Sequence, residues 1–311
     1  MSQPPRPGAA RAPEPLASHP MRFSIITPSF RNSEWLKLCV ASVADQSVPL
    51  EHLVQDSCSE DGTQDWLPRD PRVRAFIEKD LGMYDAVNRG LRRATGDLLA
   101  YLNCDEQYLP GALATVADYF ARNPGIEVAF ADTVVVTPTG DYLCHRRASV
   151  PGKYHTLTSG DLSIFTCATF FRRSLIERRG LFFNPKVKAV GDVEWALSLL
   201  EHNVPMGVLP RLTSVFTETG GNLGLHPDSQ RERAAIWVRA PVWARSARAL
   251  FLAHYRLRRL CAGHYHSKPF SFSLYTKKSP AVRVPVSVDK PTTRWIRWAA
   301  PVAEAQDSSG S

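Results

Sequence analysis

The chain has 311 residues and a formal net charge of +8 at pH 7, with 44% hydrophobic and 22% charged residues. This balance is typical of a soluble globular protein, and the length suffices for one large α/β domain with an appendage. No apolar run approaches the length needed to span a bilayer, which excludes a transmembrane helix.

The N-terminal segment and the cysteines indicate the compartment. Residues 1–20 are rich in Pro and Ala and lack the apolar core of a signal peptide, so we expect a disordered leader and a cytoplasmic protein. None of the six cysteines forms a C-x-x-C pair, so neither a zinc site nor a disulfide framework is indicated. Reduced thiols fit the cytosol.

The charge is concentrated near the C-terminus. Residues 231–300 carry fifteen Lys and Arg against Glu232 and Asp289, a balance of +13, so residues 1–230 sum to about −3 once Glu304 and Asp307 are counted. A near-neutral body with a basic tail is not the distribution of a nucleic-acid enzyme. It favours docking of the tail on an anionic surface.

Apolar runs and helical stripes alternate through the first part of the chain. The run from Leu98 to Leu102 has helical patterns on both sides, which is typical of a central strand in a parallel sheet. The alternation predicts a doubly wound α/β fold for residues 22–125. The predicted strands cover residues 23–27, 52–56, 73–77 and 98–102, and the predicted helices cover residues 33–44, 84–94 and 110–122.

Beyond residue 125 the pattern predicts further strands, one helix and then a basic segment. The predicted elements are a hairpin of strands at 128–136 and 142–147, a strand at 168–171, a helix opening at Asp192, a strand at 206–215, and a basic amphipathic helix at 228–262 kinked at Pro241. We expect residues 268–290 to be extended and exposed. The chain is therefore divided into a leader (1–20), a main domain (21–225) and a basic C-terminal appendage (226–311).

Acidic and amide groups follow the central strand directly. Asn103, Asp105 and Glu106 come just past its carboxyl end, in the crevice where open α/β sheets bind ligands. Hard oxygen ligands at such a place suit a divalent cation shared with a phosphate group, although an ordinary polar turn has the same composition.

Four segments at strand ends or helix starts together resemble the family 2 glycosyltransferases, inverting enzymes of the GT-A fold. The resemblance covers residues 22–225 and implies a Rossmann-like mixed sheet flanked by helices. It is similar to the bacterial subgroup that builds surface polysaccharides. The segments are Thr27-Pro28-Ser29-Phe30-Arg31, Asp56 with residues 57–63, Gly82-Met83-Tyr84-Asp85-Ala86-Val87-Asn88-Arg89-Gly90, and Asn103-Cys104-Asp105-Glu106.

The resemblance implies a donor site for a UDP-, dTDP- or GDP-linked sugar. Asp56 would accept a hydrogen bond from the imide N–H group of a uracil or thymine ring, and Asp85 and Asn88 would hold hydroxyl groups of the donor sugar. The remaining implied contacts are Thr27, Pro28 and Phe30 with the base and ribose, Arg31 with the phosphates, and Ser59 and Asp61 in the loop beside the nucleotide. Turn formation remains open for Asp56 and Asp61, as do a solvated side chain for Arg31 and a helix-dipole contact for Asp85.

Asn103-x-Asp105 stands where many relatives have Asp-x-Asp. The resemblance therefore makes Asp105 the ligand of Mn²⁺ or Mg²⁺, with Asn103 offering a carbonyl oxygen and the donor pyrophosphate filling much of the remaining shell. Glu106 replaces the second Asp of the usual motif. An inverting displacement also needs a base for the acceptor hydroxyl, and the match at Gly191-Asp192-Val193-Glu194 makes Asp192 that base, with Glu194 in reserve. A helix N-cap is the alternative for Asp192.

The sequence thus predicts a metal-dependent transferase that moves a sugar from a nucleotide donor to a glycan or lipid-linked acceptor. Two alternatives stay open: a nucleotide-sugar-binding module that has lost catalysis, favoured by Asn103 and Glu106, and a nucleotidyltransferase, which would need a glycine-rich basic motif after the first strand. For the basic tail we expect either binding to an anionic membrane, on the inner face of the plasma membrane, or packing on the catalytic domain, or oligomerisation.

Overall fold

The structure is a computed structural model that describes residues 20–160, 162, 164–220 and 227–295. The expectation of a disordered leader therefore falls, except for Pro20, outside the described residues. Residues 221–226 and 296–311 lie outside them as well.

Nine of the described strands form one mixed sheet. In chain order they are β1 (Phe23–Ser29), β2 (Leu50–Asp56), β3 (Arg74–Ile77), β4 (Leu98–Tyr101), β5 (Gln107–Tyr108), β6 (Val128–Val136), β7 (Tyr142–Arg146), β8 (Thr169–Arg172) and β9 (Met206–Thr217). Their spatial order is β3-β2-β1-β4-β8-β6-β9-β5, with β7 paired to β6. The first four are parallel, whereas β8 runs antiparallel to both β4 and β6. The predicted mixed α/β fold is confirmed.

Helices cover both faces of this sheet. They are α1 (Ser33–Ala44), α2 (Thr63–Trp66), α3 (Met83–Arg93), α4 (Ala112–Arg122), α5 (Lys153–Ser159), α6 (Ser174–Glu177) and α7 (Gly191–Glu201), with 3₁₀ turns at Leu67–Arg69 and Thr166–Ala168. Phe23 and Ile25 of β1 pack toward α1 and α4, whereas Ile26 packs toward α3. All seven residues of β1 are buried, as expected for a central strand that is covered on both faces.

The predicted stripe on α3 forms part of the core. Tyr84, Val87 and Leu91 recur at helical spacing and are buried against β1, β4 and α7. Burying an aliphatic side chain such as Leu91 contributes about 1.5–3 kcal/mol. Gly90 brings α3 close to the sheet, because a Cβ atom there would lie 2.4 Å from a methyl carbon of Ile26.

The basic C-terminal segment is helical up to Cys261, and its helices are interrupted at two places. It forms α8 (Pro227–Arg239), α9 (Val242–Ser246) and α10 (Arg248–Cys261). The first interruption falls at Pro241, as predicted, and a second at Ala247. Ile236 of α8 is buried in a cluster with residues of α5 and α7. Among the described residues, no helix has both the length and the apolar character needed to cross a membrane.

The expectation that residues 268–290 are extended is confirmed, whereas the expectation that they are exposed holds for only part of the segment. They form a hairpin of β10 (Phe270–Thr276) and β11 (Ser279–Val288), and Phe272, Leu274 and Val288 are buried against Val134, Val136 and Val215 of the main sheet. The outer ends of β6 and β9 present an apolar surface that has to be covered, and the hairpin covers it. Arg283 fixes the hairpin through an ion pair with Asp45, in which Nε and Oδ2 are 2.6 Å apart.

Candidate functional site

Asp56 closes β2 at the edge where the parallel strands end, opposite Ser29 of β1. Its side chain is fully buried. One carboxylate oxygen accepts the N–H group of Ser59 at 2.8 Å and the other accepts the Ser59 hydroxyl group at 2.7 Å. The Ser59 oxygen in turn accepts the N–H group of Arg31 at 2.8 Å. Asp56, Ser59 and the end of β1 are therefore held as one rigid unit, and the carboxylate keeps free lone pairs.

Asp61 organises two helix starts. It accepts the N–H group of Ser33 at 2.8 Å and the hydroxyl group of Thr63 at 2.6 Å, so it caps α1 and α2 together. Burial alone raises the pKa of Asp61, but these hydrogen bonds outweigh it and lower the pKa below its ordinary value. The structure thus gives Asp61 the local role that was left open, and its contact with a nucleotide stays a prediction.

The side chains that follow β1 differ in exposure. Phe30 is 52% exposed, and the Arg31 guanidinium lies 5.0 Å from its ring while pairing with Glu60 at 3.3 Å. This exposed aromatic and cationic pair is available for a base and a phosphate. Thr27, in contrast, is fully buried, and its hydroxyl group bonds the His52 ring at 2.9 Å.

Thr27 and its neighbour Pro28 therefore belong to the core. Both residues are buried, and the Thr27 hydroxyl group is already occupied. The Thr27 side chain faces α1, where its hydroxyl group contacts the Cys39 sulfur, so the contact of Thr27 and Pro28 with the base and ribose stays a prediction that their burial does not favour. The strand predicted to end at Thr27 continues to Ser29 in β1.

Asp85 and Asn88 do not converge as expected. The Asp85 carboxylate accepts the N–H group of Leu81 at 3.1 Å and pairs with Arg89 at 2.9 Å. The Asn88 amide is buried and exchanges two hydrogen bonds with the main chain of Phe183, at 2.7 and 3.0 Å. Asn88 thus joins α3 to the chain before α7, and a role in holding the donor sugar would require these bonds to break.

The turn after β4 brings several oxygens together. Glu106 folds back, and one of its oxygens accepts the N–H group of Asn103 at 2.8 Å. Among the described residues, Oδ1 of Asn103 and the other oxygen of Glu106 have no hydrogen-bond partner although they are buried. Burial raises the pKa of Asp105 and of Glu106, and the nearby Asp105 charge raises that of Glu106 further.

These unpartnered oxygens beside Asp105 fit a hard cation. In the part of the chain that the structure describes, no three His, Cys, Asp or Glu side chains are grouped closely enough to hold a metal by themselves. A Mg²⁺ or Mn²⁺ ion bound through one or two side chains and the phosphates of a substrate needs no such group. The donor set of Asn103 and Asp105 matches that second kind of site.

Asp192 lies in the first turn of α7, not at the N-cap, which is Val190. The N–H group of Asp192 donates to the Tyr84 hydroxyl group at 3.2 Å. Burial raises the pKa of the Asp192 carboxyl group, and the positive charge of Arg233 opposes that rise. The carboxyl group lines a small, mostly apolar cavity together with Tyr101, Ile164, Thr166, Thr169, Phe171, Phe183 and Trp195.

Gly191, the residue before the candidate base, lies against the Tyr84 ring. A Cβ atom at position 191 would lie 2.6 Å from the Tyr84 ring, so only glycine lets this ring pack against the start of α7. Glu194, the reserve base, bonds Asn184 at 2.8 Å and pairs with Arg239 at 3.3 Å. Trp195 belongs to the core, with its ring stacked on Phe183.

Glu232 was not singled out from the sequence, although it braces the candidate base. Its carboxylate accepts the N–H groups of Lys188, Ala189 and Val190 at 2.7, 2.9 and 3.0 Å, just before α7 begins. Glu232 follows this turn by more than forty residues, so no local pattern could have shown the contact.

Comparison with known proteins identifies the class. The family described as glycosyl transferase family 2 matches residues 24–180. The chain belongs to this family, as its sequence motifs predicted.

Curated relatives are similar to part of the chain. The putative teichuronic acid biosynthesis glycosyltransferase TuaG of Bacillus subtilis is 37% identical over 91 residues, which is 27% of this chain and 36% of TuaG. The PGL/p-HBAD biosynthesis glycosyltransferase Rv2957 of Mycobacterium tuberculosis is 32% identical over 120 residues, which is 36% of this chain and 47% of that protein. The chain thus spans between about a third and a half of these relatives' length.

Solved structures share the fold. TarS of S. aureus, in complex with UDP-GlcNAc, superposes with a TM-score of 0.54 at 17% identity, covering 78% of this chain and 73% of that one. The mannosyltransferase PcManGT from Pyrobaculum calidifontis, in complex with GDP-Man and Mn²⁺, gives a TM-score of 0.50 at 18% identity, covering 81% and 83%. At such identities the likeness establishes the GT-A fold alone.

Proposed function

We propose that this chain is an inverting glycosyltransferase that moves a sugar from a nucleotide donor to a glycan or lipid-linked acceptor. The observation that carries the proposal is the arrangement of carboxylates on one sheet: Asp56 ends β2, Asp105 follows β4, and Asp192 lies over β4 and β8. A donor bound between Asp56 and Asp105 has its sugar directed toward Asp192.

Each carboxylate has a separate task. Asp56, fixed by Ser59, accepts the imide N–H group of the base, and Phe30 offers an exposed ring for stacking. Asp192 takes the proton of the acceptor hydroxyl group as that oxygen attacks the anomeric carbon from the face opposite the leaving diphosphate. Its raised pKa makes Asp192 a stronger base than an ordinary aspartate.

We propose that Asp105 and Asn103 hold Mn²⁺ or Mg²⁺ together with the donor pyrophosphate. When bound, the ion would stabilise negative charge on the leaving diphosphate. PcManGT, which shares the fold, has been solved with GDP-Man and Mn²⁺, and this supports the assignment of the cation.

Thermal unfolding of the full chain tests donor and metal together. It should be measured with UDP, GDP and dTDP, each with and without Mn²⁺. Stabilisation by one diphosphate that requires Mn²⁺ is expected, because the ion and the phosphates complete each other's binding sites. No response to any of the three diphosphates would sink the proposal and leave a chain that has lost donor binding.

Asp192→Asn tests the base. The amide keeps the shape of the side chain but cannot accept the proton, so we expect transfer to fall by at least about 10²-fold while diphosphate binding stays within about twofold. Glu194→Gln is the matched control, because Glu194 is held by surface partners. Equal loss of binding and transfer in Asp192→Asn would show a structural role instead.

We also propose that α9 and α10 attach the protein to an anionic membrane surface. Arg256 and Arg258 are exposed on α10 among apolar side chains that are themselves more than half exposed. A bilayer with anionic headgroups complements both features. The exposed apolar residues are Val242, Trp243, Leu250, Leu257 and Leu260.

Co-sedimentation with vesicles tests this surface. A variant with Leu250→Ser, Leu257→Ser and Leu260→Ser should lose most of its recovery with phosphatidylglycerol vesicles, while recovery with pure phosphatidylcholine vesicles should be low for every form. Val282→Ser removes an equally exposed apolar side chain from β11 and is the control. Unchanged recovery of the triple variant would contradict attachment through α10.

A further inference from the structure

A cluster of arginines lies over β6 and β9, beyond the candidate active site. It is formed by Arg147, Arg211 and Arg259, which all act electrostatically on the buried Asp132 of β6. Arg211 is carried on a β-bulge, since the register between β6 and β9 shifts on both sides of Asp132. Bulges of this kind aim side chains and are frequent next to functional sites.

The loop after α10 links Arg147 to Arg259 through main-chain hydrogen bonds. Arg147 donates to the main-chain oxygens of Gly263 and His266, each at 3.2 Å. The N–H group of His264 donates to the main-chain oxygen of Arg259 at 2.9 Å. The Asp132 carboxylate accepts the N–H group of Ala148, the residue after Arg147, at 2.9 Å. The cluster therefore has a fixed framework.

The three arginines carry more positive charge than nearby carboxylates neutralise. Within the described part of the chain no ion pair is formed by Arg147, Arg211 or Arg259. Asp132 is the acidic group acted on by all three, and it leaves an excess of about two charges. Burial raises the pKa of Asp132 to about 6, and the three arginines oppose that rise.

Nη1 of Arg259 donates to the Tyr255 hydroxyl group at 2.8 Å, but two other buried nitrogens in and beside the cluster have no hydrogen-bond partner among the described residues. Arg259 is 6% exposed and His264 is 8% exposed, and among the described residues Nε of Arg259 and Nδ1 of His264 make no hydrogen bond. The Arg259 guanidinium lies between the rings of Tyr255 and Tyr265, 5.6 Å from each centroid. An unbalanced charge so deeply buried is costly, and a bound anion would remove that cost.

The cluster lies on the acceptor side of the site. Asp192 shares its cavity with Thr169 of β8, and Thr169 pairs with Phe130 of β6, two residues before Asp132. Because β8 alone separates β4 from β6, the main chain of Asp132 on β6 is about 10 Å across the sheet from the end of β4. The donor residues of β1 and β2 lie on the other side of β4.

We propose that Arg147, Arg211 and Arg259 bind a phosphate group of the acceptor, the phosphate through which a lipid carries the glycan. The inference rests on the proposed function, because it places the acceptor sugar at Asp192. Guanidinium groups bind phosphate oxygens through paired, charge-assisted hydrogen bonds. The lipid as the source follows from α10, which carries Arg259 on its buried face and Leu257 and Leu260 on its exposed face.

Calorimetric titration of the full chain with a soluble short-chain prenyl diphosphate tests the site. UDP and Mn²⁺ are kept in excess so that the diphosphate cannot occupy the donor site. Arg211→Gln and Arg259→Gln should each weaken binding by about tenfold, since each removes a charge-assisted contact. Arg122→Gln, on α4 at the opposite face of the sheet, should leave binding unchanged.

The test does not depend on whether every arginine variant folds. Arg211 is exposed, so Arg211→Gln carries the test even if Arg259→Gln does not fold, and Arg259→Lys should restore part of the affinity. Binding that is equal in wild type and in Arg211→Gln would overturn the proposal. Arginine-dependent binding of inorganic pyrophosphate, with no gain from the prenyl chain, would overturn the lipid source.

Transfer assays separate this proposal from the proposed function. With a sugar on a prenyl diphosphate, Arg211→Gln should raise KM about tenfold, whereas KM for the same sugar as an octyl glycoside should not change. Arginine-dependent diphosphate binding in a chain that transfers no sugar would refute the proposed function and leave the phosphate site standing.

Discussion

The pKa of the Asp192 carboxyl group is set by effects of opposite sign. Burial raises the pKa of Asp192, while the charge of Arg233 on α8 and the hydrogen bond from the Val193 N–H group lower it. A base must be deprotonated, so activity should be lost as the pH falls through this raised pKa. The acid limb of kcat/KM should therefore lie above the pKa of an ordinary aspartate, about 3.9.

Arg233→Gln should move that acid limb to higher pH. Removing the positive charge leaves burial less opposed, so the folded-state pKa of Asp192 rises further. The measurement is the pH dependence of kcat/KM in both forms. Arg231→Gln is the control, because Arg231 lies on the same helix but is exposed and pairs with Asp228. A limb that stays in place or moves to lower pH would show that Asp192 is not the titrating base.

Helix α8 contributes to the site although it contains no proposed catalytic group. Glu232 collects three N–H groups of the turn that leads into α7. A carboxylate that accepts several main-chain N–H groups is a strong anchor, since each bond to a charged group contributes about 1.5–3 kcal/mol. The position of Asp192 therefore depends on the docking of α8.

Glu232→Gln should lower kcat by about tenfold and leave the dissociation constant of UDP unchanged. The glutamine can accept fewer of the three hydrogen bonds, so the turn loosens and Asp192 loses its orientation, while the donor contacts on β1 and β2 are untouched. Steady-state kinetics and UDP titration measure the two effects. Glu201→Gln, at the exposed end of α7, serves as the control, and parallel loss of UDP affinity would contradict a positioning role.

The C-terminal segment is part of the folded body. The β10–β11 hairpin covers Val134, Val136 and Val215, and Tyr275 of β10 exchanges hydrogen bonds with Gln107, next to the turn that holds Asp105. Of the roles that the sequence left open for the basic segment, the structure shows packing on the rest of the chain, and membrane binding stays a proposal. Its helices and hairpin pack on the catalytic sheet, while the outer face of α10 is exposed for a proposed membrane contact.

A chain that ends at residue 266 should fail to fold as a stable monomer. The truncation exposes an apolar patch on β6 and β9 and removes the Arg283 ion pair, so we expect aggregation or a large loss of unfolding free energy. Size-exclusion chromatography and urea unfolding measure this. Shortening the chain only to residue 295 is the control. A well-folded monomer ending at 266 would show that the hairpin is dispensable.

The local sequence predicted most of the longer strands and helices and the positions of Asp56, Asp105 and Asp192 along the chain, whereas the short elements β5, α2, α5 and α6 were not predicted. The predicted elements and positions follow from side-chain periods of two and about 3.6 residues, and from the rule that parallel strands end at a common edge. The family motifs then predicted the class of protein. None of this requires knowledge of contacts between distant segments.

Only the tertiary structure decided which polar side chains have hydrogen-bond partners within the fold and which remain available to a ligand. The Thr27 hydroxyl group bonds His52, and the Asn88 amide bonds the main chain of Phe183, ninety-five residues away. The support of the 188–190 turn by Glu232, the burial of the hairpin and the gathering of Arg147, Arg211 and Arg259 are equally non-local. Such contacts are set by how elements pack, because the partner of a side chain far along the chain leaves no periodic trace in the sequence.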